Sequence, residues 1–155
     1  MTKLKQNPII LPDAEKTALR TQFGGICYRV RRDRVQVLLV TSRTNKRWIV
    51  PKGWPMDGAT PVQAVLREAY EEAGVEGKVT GQCVGIYSYV KSLSKNENLP
   101  CIVALYPVLV TRLLNDYPEK SDRKRKWFSL KKATAAVNNP ELCQILKDFN
   151  PRLLT

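Results

Sequence analysis

Residues 51–75 read PKGWPMDGATPVQAVLREAYEEAGV, a Pro- and Gly-rich loop running straight into a helix. The helix signals are complete. Thr60 is a natural N-cap, Pro61 suits the first helical position, and Gln63 completes a T-x-x-Q capping box. Val62, Val65, Leu66, Ala69 and Ala73 recur at helical spacing on one face, and Gly74 supplies the C-terminal stop. The loop ahead, 51–60, is too punctuated by Pro and Gly for regular structure.

At roughly 100° per residue, Glu68, Glu71 and Glu72 fall within an arc of about 100°, nearly opposite the apolar stripe. Three carboxylates are therefore expected on the face turned away from the core. One reading is an ordinary amphipathic helix with solvated glutamates and an Arg67–Glu71 i,i+4 pair. The other is a cluster of hard oxygen ligands at i, i+3 and i+4 for Mg²⁺ or Mn²⁺, whose charge relieves the mutual repulsion. The preceding loop favours the second, because it holds backbone N–H and C=O groups beside the acidic face, where a metal-bound phosphate would sit.

Working outward, 23–31 and 35–42 read as strands around Arg32-Asp33-Arg34, a hairpin. Residues 48–50 form a short strand stopped by Pro51. On the other side, 79–91 and 101–113 read as longer strands separated by a polar loop, 92–100; Pro107 calls for an edge position or a bulge. A last strand at 126–128 leads to Ser129, which caps a helix to about residue 137. Pro140 opens a final helix with the stripe Leu142, Ile145, Leu146 and Phe149. Strands mixed with separated helices predict an α/β domain, a mixed sheet packed between helices. Residues 1–17 are expected to be a loosely held arm, and 18–155 a single domain.

The 155 residues, 43% apolar and 26% charged, suit one domain with one sizeable core. No apolar run is long enough to span a membrane, and the start lacks a signal-peptide pattern. With no His in the chain, His-based triads and His metal sites are excluded; acid/base chemistry falls to carboxylates, Lys, Tyr or Cys. Cys27, Cys83, Cys101 and Cys143 are widely spaced within apolar runs and form no C-x-x-C pair. They read as reduced, buried thiols, with a cytoplasmic setting as the expectation. The net charge of +12 attracts polyanions: nucleic acid, anionic membrane, or a small molecule with many phosphates.

Gly53 followed by Arg67-Glu68-Ala69-Tyr70-Glu71-Glu72-Ala73-Gly74-Val75 resembles the Nudix box, G-x5-E-x7-R-E-U-x-E-E-x-G-U. The spacing agrees to the residue, and each fixed position is matched except the first Glu, where Ala59 stands. Leu38-Leu39-Val40 with Trp48-Ile49-Val50-Pro51, and Arg125-Lys126-Trp127-Phe128 before two helices, extend the resemblance over nearly the whole domain. They are most similar to the diphosphoinositol polyphosphate phosphohydrolase branch, which also contains diadenosine polyphosphate hydrolases.

The resemblance implies a Nudix-type α/β/α sandwich that hydrolyses a pyrophosphate linkage with Mg²⁺ or Mn²⁺. It makes Glu71 and Glu72 the primary metal ligands, Glu68 a further ligand or the base for the attacking water, and the Gly53 carbonyl another ligand. Arg67 would orient the glutamates. Ser42 and Arg43 resemble a phosphate-contacting segment, and Arg20 a basic contact; Arg29 and Lys52 join them as candidate substrate contacts. Arg47 and Lys46 lie nearby, and Trp54 is a candidate stacking or packing residue. Asp57, Glu97 and Glu119 are candidate replacements for the carboxylate missing at Ala59.

The expected substrate is a phosphate-dense small molecule, a diphosphoinositol or dinucleoside polyphosphate. Two alternatives stay open: hydrolysis of nucleoside triphosphates or RNA 5′ ends, the one role foreseen for nucleic acid, and a non-catalytic module that binds a phosphorylated ligand. No membrane partner is expected, and the chain is read as a monomer or homodimer.

Overall fold

The computed structural model describes residues 6–8 and 20–154. The arm expected at 1–17 lies outside the described residues except at 6–8. There, Gln6 accepts a hydrogen bond from Val62 N–H at 2.8 Å and donates to Tyr106 Oη at 3.1 Å.

The chain runs β1 (Arg20–Arg31), β2 (Arg34–Thr41), β3 (Trp48–Ile49), β4 (Lys52–Gly53), α1 (Pro61–Ala73), β5 (Val75–Val79), β6 (Gly85–Ser94), β7 (Glu97–Leu113), β8 (Arg125–Ser129), α2 (Leu130–Ala136) and α3 (Pro140–Asp148). The strands form one sheet with the central order β3-β2-β1-β7-β5; β4 joins β1, β6 joins β7 and β8 joins β2. β1 and β7 are parallel and the other pairs antiparallel, so the sheet is mixed, as expected. Helix α1 packs on one face, over Cys27, Leu38, Val40 and Val108; Ala133, Leu142 and Leu146 of α2 and α3 pack on the other, over Ile26, Tyr28, Val37 and Leu39. The α/β/α sandwich is thus observed.

The helix reads as its sequence demands. Thr60 Oγ1 accepts from Gln63 N–H, Gln63 Oε1 accepts from Thr60 N–H, and Gly74 ends the helix at φ 64°, ψ 33°. A Cβ at Gly74 would also collide with the Tyr117 ring. Val65, Ala69 and Ala73 are fully buried, Val65 alone contributing about 2 kcal/mol. Arg31 pairs with Arg34 across Arg32 and Asp33, both at positive φ, the geometry of a tight two-residue hairpin.

Three of the expected segments needed correction. Within 51–60, Lys52 and Gly53 form a strand against Phe23 and Gly24, because Pro51 O and the β4 backbone meet partners on β1 that no local pattern announces. The strand expected at 79–91 starts at Gly85 as β6; Val79 instead ends β5, a strand not expected from the sequence, and the chain leaves the sheet between them. The polar loop expected at 92–100 is the end of the β6–β7 hairpin, with Ser94 opposite Glu97. It extends past Arg20, the first residue of β1 in register with β7, so among the described residues no third strand lies beside it and it needs no apolar alternation.

Pro107 sits in the middle of β7, opposite Ile26 of β1. It is tolerated because its carbonyl, and hence its missing N–H, faces the gap between β5 and β6, where Thr80 N–H donates to Pro107 O at 3.0 Å. All four cysteines are free; Cys27 and Cys101 are buried and Cys143 half-buried, but Cys83 is exposed, on the segment that leaves the sheet.

Candidate active site

α1, β4 and the loop 114–124 meet in one corner. Glu72, expected to face away from the core, is only 3% exposed. The expectation failed because β4 and the 114–124 loop, brought in by distant strands, close over that side of the helix. Its oxygens are satisfied there: Oε2 accepts from Lys52 N–H at 3.0 Å and Oε1 lies 3.3 Å from the Arg123 guanidinium. Burial pushes its pKa up to about 7, against the pull of Arg123 and Lys52.

Glu68, half-buried, lies flat on Gly53; a Cβ at that glycine would overlap the carboxylate. Burial, then the charges of Glu72 and Glu71, push Glu68 up to about 7 as well. Glu71 Oε1 accepts from Arg67 Nε at 2.6 Å, the i,i+4 pair foreseen, and its backbone carbonyl accepts from Glu119 N–H at 2.9 Å.

Arg123, absent from the sequence candidates, ties the corner together. Its side chain is 11% exposed, Nε donates to Glu119 Oε1 at 3.0 Å and Nη1 to the Thr41 carbonyl at 3.1 Å. Arg43 reaches the same Glu119 oxygen at 2.5 Å, giving an ordered row Arg43–Glu119–Arg123–Glu72. In the run Arg123-Lys124-Arg125-Lys126 local pattern does not separate buried cations from exposed ones. The available clue is chemical: a planar guanidinium serves several acceptors where an ammonium does not.

The other candidates divide. Ser42 closes its loop, Oγ accepting from Arg47 N–H at 3.0 Å and its own N–H donating to Arg47 O at 2.8 Å, which presents Arg43 to the acidic corner. The Lys52 side chain leaves on the opposite sheet face, Nζ 5.0 Å from the Tyr89 ring centroid; burial lowers its pKa, with Glu72 opposing. Arg20 opens β1 beside Cys101, at the end of the strand nearest β4.

Arg29 is not brought to the site. It lies five residues along β1 from Gly24, about 16 Å, stacked 4.0 Å over Trp127 and donating to Gln36 at 2.7 Å. Ala59 N–H donates to Met56 O in the turn before Thr60, where Asp57 is exposed, and Glu97 is exposed on the β6–β7 hairpin. Of the carboxylates considered beside Ala59, Glu119 is built into the corner.

Among the described residues no three acidic or thiol side chains converge as a ready coordination shell, since Glu71 turns to Arg67 and Glu72 to Arg123. The donor set nevertheless fits a divalent cation. Glu68, Glu71 and Glu72 are hard oxygen donors on adjoining turns, beside a glycine that admits no side chain, and burial pushes Glu68 and Glu72 toward the neutral form.

The described residues contain no helix long and apolar enough to cross a membrane. The NUDIX domain model matches residues 20–151. The chain is 36% identical over 133 residues to human diphosphoinositol polyphosphate phosphohydrolase 3-beta, covering 84% of this chain and 76% of that protein. It is 30% identical over 120 residues to Arabidopsis thaliana Nudix hydrolase 12, mitochondrial, covering 76% and 59%. Among solved structures, a C. elegans Ap4A hydrolase binary complex superposes with a TM-score of 0.62 at 21% identity, over 83% of this chain and 93% of that one. A NUDIX hydrolase from Nitrosomonas europaea gives 0.65 at 20%, over 84% and 88%. These two structures support the fold. The chain belongs to the NUDIX family. Within it, the human relative is a phosphohydrolase by name and the Arabidopsis one a hydrolase, and this chain is a Nudix-type hydrolase of pyrophosphate bonds.

Proposed function

We propose that this chain hydrolyses a phosphoanhydride bond in a phosphate-dense small molecule, a diphosphoinositol polyphosphate or dinucleoside polyphosphate, with Mg²⁺ or Mn²⁺. The observation that carries it is the pair Glu72 and Glu68, one buried and one pressed onto Gly53, on the helix face that also carries Glu71. Glu71 and Glu72 would be the primary ligands, with Glu68 and the Gly53 carbonyl beside them. When bound, the ion neutralises phosphate charge and acidifies the attacking water.

The residues around it have distinct tasks. Glu68 holds or receives the water proton, and Arg67 orients Glu71 through their 2.6 Å contact. Glu119 supplies the negative charge that Ala59 does not. Arg43, held by Glu119 and Asp122 on the loop that Ser42 closes, offers a guanidinium to an incoming phosphate, and Lys52 and Arg20 are further phosphate contacts from other parts of the sheet. The +12 net charge supports a phosphate-dense substrate. A cytoplasmic setting belongs to the same reading.

Phosphate release from a panel tests it: a diphosphoinositol polyphosphate, a diadenosine polyphosphate, a nucleoside triphosphate and 5′-triphosphorylated RNA, each with Mg²⁺, Mn²⁺ or EDTA. Turnover of either of the first two that needs the metal and is lost in Glu71→Gln is expected. Binding of these ligands with no turnover of any would replace the enzyme by a binding module.

A further inference from the structure

Glu71 and Glu72 stand on the last turn of α1, the part of a helix whose carbonyls have no partner within it. Such a turn frays unless other groups bind those carbonyls. Here three donors come from one later segment of the chain. Glu119 N–H donates to the Glu71 carbonyl at 2.9 Å, Arg125 Nη1 to the Ala73 carbonyl at 2.8 Å, and Leu114 N–H to the Gly74 carbonyl at 2.8 Å.

Of these three donors one is a side chain, that of Arg125, the first residue of β8, fixed opposite Val40 of β2. Its guanidinium lies over the Tyr117 ring, 4.8 Å from the centroid, and Tyr117 is buried. Gly74 leaves room for both groups, since a Cβ there would overlap the ring and the guanidinium. A cation suits this end of a helix, where the carbonyl dipoles converge. A guanidinium can also stack on the ring and donate in its own plane at once, which an ammonium cannot.

The two glutamates depend on this clasp differently. Glu72 is also held from outside the helix, by Lys52 N–H and Arg123. Glu71 is paired with Arg67 of the same helix, a bond that moves with the turn and cannot locate it against β4. We propose that Arg125 is a positioning residue for the hydrolysis: clasped to Tyr117, it holds the last turn of α1 where Glu71 and Glu72 can share one divalent cation. This rests on the metal-dependent reading above and deepens it.

Mn²⁺ binding to the full chain without substrate, followed by electron paramagnetic resonance, reads the last turn apart from turnover. Arg125→Met is expected to weaken Mn²⁺ binding about tenfold. It should raise the Mg²⁺ concentration for half-maximal turnover about as much, with KM for the fastest substrate of the panel above changed less than about twofold. Arg125→Lys keeps a donor near Ala73 but no planar group for the ring. It should fold like the unaltered chain and show about a threefold loss of Mn²⁺ affinity, which keeps the test open should the Met variant not fold. A lowered Tm with Mn²⁺ affinity and Mg²⁺ requirement unchanged would make Arg125 a stabilising residue only and overturn the proposal, as would an unchanged affinity in the Lys variant. No Mn²⁺ binding by the unaltered chain would remove the metal-dependent reading itself, and the proposal with it.

Discussion

The two ends of β1 carry charged side chains of similar kinds and use them in different ways. Around Gly24, where β4 pairs, Glu72 is buried against a largely covered Arg123, and Glu119 and Arg43 extend the row they form. Around Arg31 the hairpin leaves Arg31, Arg32 and Arg34 exposed, and the Asp33 carboxylate lies 3.9 Å from Arg152, which donates instead to the Asp33 backbone carbonyl at 3.0 Å. Exposed charges keep their hydration and bring little stability or chemistry. Buried ones act on each other's ionisation, which is why the chemistry concentrates at the first end.

The sharpest contrast comes from Glu72→Gln, which keeps shape and removes a ligand charge. Turnover should fall roughly a thousandfold with the circular dichroism spectrum unchanged. Activity within tenfold of the starting chain would remove Glu72 from the metal site.

Gly53→Ala tests close approach at the same end. The new methyl must displace the Glu68 carboxylate, and turnover should drop about 10- to 100-fold with a matching rise in the Mg²⁺ concentration required. An unchanged metal requirement would mean that Glu68 does not need this position.

Arg123→Met leaves Glu72 and Glu119 without their shared cation. Urea unfolding at pH 8 in EDTA should show a loss of about 3 kcal/mol. A loss below about 1 kcal/mol would make the row a surface feature like the hairpin's.

The pH dependence follows from the raised carboxyls. Glu68 and Glu72 bind protons more tightly folded than unfolded, so their protonation favours the fold. Their contribution is greatest below about pH 4.5 and is lost as pH rises through about 7. Thermal unfolding in EDTA should reveal that decline, and Mg²⁺ should raise Tm more at pH 8 than at pH 5. An equal Mg²⁺ shift at both would detach the metal from these carboxyls.

At the far end Arg29→Ala should cost about 1 kcal/mol, through the lost contact with Trp127, and change turnover by less than about twofold. A large effect on KM would return Arg29 to the substrate contacts and erase the distinction between the two ends.

The same contrast explains what could be read in advance. Thr60, Pro61, Gln63 and Gly74 announce α1, and the stripe from Val62 to Ala73 announces the side it packs, because capping and helical period are local properties. Hairpin, last strand and final helices were legible for the same reason. The arc of Glu68, Glu71 and Glu72 was equally visible, but its burial was not: helical period assigns a face, whereas exposure depends on what closes over it.

Sequence by itself thus determined the order of elements, the capped helix and the gathering of three carboxylates on one arc. Tertiary structure decided that Glu72 is buried, that Arg123 partners it, that Lys52 and Gly53 make a strand against β1, and that Arg29 belongs to Trp127. Each of these depends on residues far apart in the chain, joined by register in the sheet. Burial changes a charge's surroundings from water to protein, and that change is set by the packed neighbours, not by the residue's own place in the sequence.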